Sequence, residues 1–142
     1  MALKMIQYGT KEYEQMVALR YQMLRKPLGL NFSAQELESD KDHILLGCFD
    51  DDVLEGCCML VQQDPQIVRL RQMAVLQGLQ GKGIGRVLML FAENVARDRR
   101  YKKMIMHARN SSTHFFEKLG YHTTGNPFIE LTIQHIVMEK DL

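Results

Sequence analysis

Residues 78–86 read GLQGKGIGR. Gly81, Gly83 and Gly85 fall at alternate positions, and an apolar, helix-like run follows at once. Glycine inside regular structure costs roughly 0.5–1 kcal/mol relative to alanine. It is tolerated where the backbone needs positive φ, or where another atom must come closer than a Cβ allows. Glycines this dense point to the second reason. Downstream, Ile84, Val87, Leu88, Phe91 and Val95 recur at helical spacing, with Arg86, Glu93, Arg97 and Asp98 largely on the other side. The loop therefore ends on a helix N-terminus, whose unpaired N–H groups and positive dipole end attract an anion, typically phosphate. The plainer alternative is a strand–helix turn with spare glycines.

Outward from the loop, the pattern is mixed α/β. Before it, "RQMAV" closes a strand over about 66–76, entered through Pro65. "HILLGCF" and "VLEGCCMLV" are apolar runs joined by Asp50, Asp51 and Asp52, which reads as a hairpin. Ahead of these lie a short strand, "ALKMIQY", a helix over 11–25 stopped by Pro27, and a capping box, Ser33 with Glu36, opening a short helix. After the long helix, which runs to about Arg100, come the strand "KMIMHA", the helix "SSTHFFEKLG" closed by Gly120, and two strands near 121–125 and 131–139. The predicted order is β-α-α-β-β-β-α-β-α-β-β. No repeat or linker interrupts it, and residues 1–142 read as one domain.

Composition narrows the function classes. A net charge of +1 gives no global argument for nucleic acid or an anionic membrane. No apolar run approaches the roughly 18–20 residues of a membrane span, and "MALKMIQYGT" has no signal-peptide apolar core. The three cysteines, Cys48, Cys57 and Cys58, lack metal-ligand spacing and do not form an even disulfide set. They read as small buried residues in a reducing, cytoplasmic compartment, with no metal site. Cys57 and Cys58 are adjacent in a strand and point to opposite faces. The ten methionines read as core filler.

Two familiar phosphate motifs do not fit. A P-loop counted from Gly78 reaches Gly83 at its sixth position, but Ile84 follows where lysine is required. A dinucleotide fingerprint needs a third glycine where this chain has Arg86 or Leu88. What fits is Q/R-x-x-G-x-G/A, here Gln80-Gly81-Lys82-Gly83-Ile84-Gly85 behind "RQMAV". With "FFEKLGY" at 115–121 and "TIQHIVMEK" near the end, the chain resembles the GNAT superfamily of acyl-CoA-dependent N-acyltransferases, and within it the small bacterial ElaA-like branch. The likeness is strongest from about Leu70 to Lys140. "LRYQMLRKPLGL" looks like the branch's first-helix segment.

The resemblance implies a central mixed sheet of about six to seven strands, opened at the CoA site and flanked by about four helices. It implies acetyl-CoA as co-substrate. The pyrophosphate would rest on backbone N–H groups of Gln80, Gly81, Lys82, Gly83, Ile84, Gly85 and Arg86. Pantetheine would pair with Met73, Ala74 and Val75, as in β-strand addition. It also allows a homodimer through the C-terminal strands.

Three positions depart from the family pattern. Many members carry a tyrosine that protonates the departing thiolate; that position is Phe116, which has no proton to give. A frequent pantetheine-binding asparagine is replaced by Arg109, with Asn110 one residue later. The branch's G-I-P-H is Thr132-Ile133-Gln134-His135. Magnitudes rank these losses. Deprotonating a lysine-like ammonium at pH 7 costs roughly 4.6 kcal/mol, whereas releasing an unprotonated thiolate costs about 2 kcal/mol. A base for the amine therefore matters more than an acid for the thiol. The base candidates are His135, His107 and Glu130, against the alternative that both histidines are structural and Glu130 a solvated strand residue. Tyr121 is a candidate substitute acid or a packing aromatic. Arg69 and Arg71 alternate with Met73 and Val75, which would place all four on one strand face. There the two guanidinium groups would bind an acceptor's carboxylate or phosphate, or pair with acidic neighbours.

The function so read is transfer of an acetyl group from CoA to a primary amine of a small molecule or peptide, with no nucleic-acid or membrane partner. Two alternatives stand beside it: a CoA-binding regulatory module that has lost catalysis, and a phosphate-binding interaction domain unrelated to CoA.

Overall fold

The computed structural model describes residues 1–142. Its elements follow the order read from the sequence: β1 (Ala2–Ile6), α1 (Lys11–Arg20), α2 (Ala34–Ser39), β2 (Ile44–Asp50), β3 (Val53–Asp64), β4 (Ile67–Val75), α3 (Ile84–Asp98), β5 (Lys103–Arg109), α4 (Thr113–Lys118), β6 (His122–Glu130) and β7 (Ile133–Asp141). Local chemistry sets several boundaries. Thr10 accepts a hydrogen bond from the Tyr13 N–H and starts α1. Beyond Arg20 the helix widens into a π turn over Tyr21–Arg25, then tightens at Lys26–Leu28, where Pro27 removes a donor and Gly29 (φ +69°) reverses the chain. The Ser33–Glu36 capping box forms in both directions, at 3.1 and 3.2 Å.

The strands make one seven-stranded sheet in the order β1-β2-β3-β4-β5-β7-β6. Only β4 and β5 run parallel, joined through α3; every other neighbouring pair is antiparallel. One face carries α3 and α4 over a core that includes Leu46, Leu60, Leu88, Met89, Met104 and Met138. The other carries α1 over Ile6, Met16, Leu45, Phe49 and Met59. Cys57 belongs to the second core and Cys58 to the first, as their adjacency required. Burial raises the Cys58 thiol and pushes Cys57 up to about 12, so both are inert at neutral pH.

The structure corrects two sequence-based expectations. Glu93 is not on the exposed side of α3: it is 2 % exposed, and the core accepts it because Lys140 Nζ (3.1 Å) and Tyr121 Oη (2.7 Å) both donate to its carboxylate. Arg69 and Arg71 do not share a face with Met73 and Val75. Gln72 sits at φ +54°, and between the pairs Met59–Arg71 and Cys57–Ala74 strand β4 carries one more residue than β3. That bulge inverts the alternation. Val68 and Leu70 before it, and Met73 and Val75 after it, all face the α3 core, which leaves Arg69 and Arg71 on the α1 side. The loop glycines differ in backbone: Gly81 (φ +80°) and Gly83 (φ +88°) are left-handed with open space where a Cβ would stand, while a Cβ at Gly85 would lie 3.2 Å from the Phe115 ring.

Candidate active site

Pairing between β4 and β5 ends at Leu70–Met106, although β4 runs on to Val75 and β5 to Arg109. The two strands part there, while β3 follows β4 to Val75 and β7 follows β5 to Arg109. A cleft of about 1040 Å³ opens at this gap. Met73, Ala74 and Val75 line it with a backbone edge that pairs with no neighbouring strand.

The glycine loop closes one end. Gln80 Nε2 donates to the Val75 carbonyl at 3.2 Å and ties the loop to the end of β4. The first helical bond of α3 runs from the Val87 N–H to the Gly83 carbonyl at 3.1 Å, so the N–H groups of Ile84, Gly85 and Arg86 have no carbonyl partner. Gln80, Gly81, Gly83, Gly85 and Arg86 line the cleft. Ile84 turns its side chain into the core and offers only backbone; Lys82 is exposed beside the wall.

On the α4 side stand Phe115 and Phe116, packed edge to face at 5.0 Å, with Ser111 and Ser112. Phe116 is buried and lines the cleft. Tyr121 does not reach it. Its ring packs edge to face on Phe116 at 6.0 Å, and its hydroxyl donates to Glu93 inside the core. Burial, then the Glu93 hydrogen bond and charge, lift that phenol far above its ordinary value. A proton held that tightly, outside the cleft, is not available to a departing thiolate. Asn110 is exposed and does not line the cleft, whereas Arg109 does.

The other half of the cleft opens on the α1 face. Here the structure brings together Arg69, Arg71, His107, Glu130 and His135 from four strands, with Arg25 and Glu36 from the first third of the chain. His107 Nδ1 lies 2.8 Å from Arg69 Nη2 and 3.0 Å from Glu130 Oε2. One nitrogen cannot both accept from the guanidinium and donate to the carboxylate, so His107 is tied to a partner in either tautomer. Burial works to raise the Glu130 carboxyl, but the His107 hydrogen bond and the charges of His107 and Arg69 outweigh it, and Glu130 stays below the usual carboxylate range. Burial and the neighbouring Arg71 charge lower Arg69, opposed by Glu130. His135 differs. Its Nδ1 lies 2.8 Å from the Ile133 carbonyl, which can only accept, so Nδ1 carries the proton and Nε2 keeps its lone pair. The ring stacks on Phe128 at 6.0 Å and is 6 % exposed.

Sequence reasoning missed Met23, Leu24, Arg25 and Glu36, which reach the cleft from the π turn and α2. It also missed Gln72, Ser111, Ser112 and Phe115. The available signals were the stretches that hold them: "LRYQMLRKPLGL" for Met23, Leu24 and Arg25, "RQMAV" for Gln72, and "SSTHFFEKLG" for Ser111, Ser112 and Phe115.

A sequence model of the acetyltransferase (GNAT) domain matches residues 11–142. The uncharacterised N-acetyltransferase YitI of Bacillus subtilis strain 168 is 26% identical over 145 aligned positions, covering 97% of each chain. Among solved structures, a putative N-acetyltransferase from Lactobacillus plantarum superposes with TM-score 0.87 at 22% identity, over 100% of this chain and 99% of that one. Escherichia coli ElaA superposes with TM-score 0.83 at 16% identity, over 98% of both. A GNAT family acetyltransferase from Elizabethkingia anophelis, solved with acetyl-CoA bound, gives TM-score 0.76 at 21% identity, over 99% of this chain and 97% of that one. At these identities the superpositions speak for the fold; the match over residues 11–142 speaks for the family. With parted strands and a glycine loop leading into a helix, the chain belongs to the GNAT family of acetyltransferases and is an N-acetyltransferase.

Proposed function

We propose that residues 1–142 act as one cytoplasmic catalytic domain that transfers the acetyl group of acetyl-CoA to a primary amine of a small molecule or peptide, by direct attack with both substrates bound. The observation that carries this reading is the gap between β4 and β5 below three unpartnered N–H groups. The donor set fits CoA. Ile84, Gly85 and Arg86 present N–H groups and the positive end of α3 to a pyrophosphate, with exposed charge from Arg86 and Lys82 beside them. The free edge of Met73–Val75 supplies backbone groups for pantetheine amides.

Bound acetyl-CoA supplies the acyl group as a thioester, whose carbonyl carbon accepts an amine and whose sulfur leaves. The chain's part is to position and to move protons. His135 Nε2 takes the proton from the amine nitrogen, and Nδ1 passes positive character to the Ile133 carbonyl. Glu130, ionised and held by His107, adds a negative charge to the same side of the cleft. Arg109, level with His135 across β5 and β7, favours a departing anion.

Titration of acetyl-CoA by calorimetry tests the loop. Gly83→Ala meets no protein atom, so packing survives, but left-handed backbone disfavours alanine by about 1–2 kcal/mol. The free loop relieves that strain by leaving its binding conformation, and affinity falls about 5–30-fold. Unchanged affinity in a folded variant would remove the loop from the site.

Phe116 favours the second reading, a CoA-binding module without catalysis. Release of free thiol with a panel of amines separates the two. If thiolate departure is partly limiting, Phe116→Tyr raises turnover, and by no more than the roughly 2 kcal/mol that an unprotonated thiolate costs. Lower turnover in a well-folded variant would mean that the ring serves as an apolar contact and the proton comes from elsewhere.

A further inference from the structure

The acceptor half of the cleft is unbalanced in charge. Four guanidinium groups line it, those of Arg25, Arg69, Arg71 and Arg109, against two carboxylates, Glu36 and Glu130. Both carboxylates already have partners. Glu36 Oε2 takes a hydrogen bond from Arg25 at 3.0 Å while its Oε1 closes the Ser33 capping box, and Glu130 faces His107 at 3.0 Å. Arg25 is therefore neutralised, and Arg69 is committed to His107. Arg71 and Arg109 are half-buried and make no hydrogen bond or ion pair within the chain. A guanidinium withdrawn from water without a counter-charge is unfavourable, and an anion in its fork restores the balance.

Place adds to charge. Arg71 and His107 are the next residues on β4 and β5 after the last pair, Leu70–Met106, so Arg71 stands at the mouth of the gap through which the thioester must be reached. His135 lies on β7, with β5 alone between it and β4. His135 is level with Arg109, two residues beyond His107 on β5, and its imidazole and the Arg71 guanidinium line the same cleft. One small molecule bound in that cleft can touch both.

We infer that the acceptor is a short primary amine carrying an anionic oxygen group, carboxylate or phosphate, which Arg71 grips while the amine meets His135. This rests on the acyl-transfer reading above and extends it to the acceptor's class. It also disfavours polycationic amines, which would bring further positive charge to two unpaired guanidinium groups.

The test uses the full chain, saturating acetyl-CoA, free-thiol detection and matched amines: β-alanine against β-alaninamide, O-phosphoethanolamine against ethanolamine, and spermidine. At least one anionic member should exceed its neutral partner tenfold or more in kcat/KM, and which pair does so distinguishes carboxylate from phosphate. Arg71→Ala should erase about tenfold of that preference through KM, with kcat nearly kept, and Arg71→Lys should restore part of it. Neutral amines or spermidine used best, or a preference that survives Arg71→Ala, would overturn the inference. Should Arg71→Ala not fold, the wild-type preference and its reduction in Arg71→Lys decide the matter in the same way. If no amine releases thiol although acetyl-CoA binds, the acyl-transfer reading fails by itself. Calorimetry of the two anionic amines on CoA-bound protein then decides the anion site: binding lost in the Arg71 variant upholds it, while binding absent in wild type or equal in both overturns it.

Discussion

His135→Ala lowers turnover by about 10²–10⁴-fold and leaves acetyl-CoA affinity unchanged. The reason is the tautomer. The Ile133 carbonyl fixes the proton on Nδ1, so Nε2 keeps its lone pair and has no partner within the chain. A base works only when unprotonated, so the acidic limb of the wild-type rate–pH profile should vanish in the variant. His107→Ala is the matched comparison: His107 Nδ1 lies between Arg69 and Glu130, and Nε2 is free only in the tautomer that donates to Glu130, so a smaller loss is expected. Glu130→Gln keeps shape and removes charge, and its loss of turnover should be smaller than that of His135→Ala. Wild-type turnover and an unmoved acidic limb in His135→Ala would transfer the role to the His107–Glu130 pair.

Asp40→Ala destabilises the fold by about 3–5 kcal/mol, read as a lower urea midpoint with little change in slope. Asp40 Oδ2 receives both Arg20 Nη1 and Tyr13 Oη at 2.7 Å, and Arg20 and Asp40 are 1 % and 2 % exposed. Without the carboxylate, Arg20 is left as a buried charge whose Nε already lacks a partner. The cluster joins α1 to the segment after α2, and these flank the chain that carries Met23, Leu24, Arg25 and Glu36 into the cleft. The variant should therefore also loosen the acceptor wall, raising the acceptor's KM more than that of acetyl-CoA. A change within about 0.5 kcal/mol would mean the pair is replaceable by packing alone.

The element order was legible because local signals agreed at each step: periodicity in α3, a capping box at Ser33, Pro27 and Gly120 as stops. What escaped the sequence depends on contacts between distant residues. Glu93 reads as a surface residue because its partners, Tyr121 and Lys140, lie 28 and 47 positions away. Buried Arg20 reads as polar for the same reason, its partner being 20 positions off. The placement of Arg69 and Arg71 failed on a single residue, Gln72, whose bulge inverts the strand. The glycine loop could be read from its motif, and the left-handed backbone at Gly81 and Gly83 adds a second reason for glycine there. The α1 side of the cleft was harder to read, since Met23, Leu24 and Arg25 reach it through a π turn and the capping box that opens α2 does not tell which cleft Glu36 lines.

The central claim is that the glycine loop and the free edge of β4 hold acetyl-CoA. Amide NMR of the ¹⁵N-labelled protein during an acetyl-CoA titration addresses both surfaces at once. Saturable shifts should be largest at Gly83, Ile84, Gly85 and Arg86 and at Met73, Ala74 and Val75, with amides of β1 and β6 nearly still. An absence of saturable shifts, or shifts centred away from the gap between β4 and β5, would contradict the account.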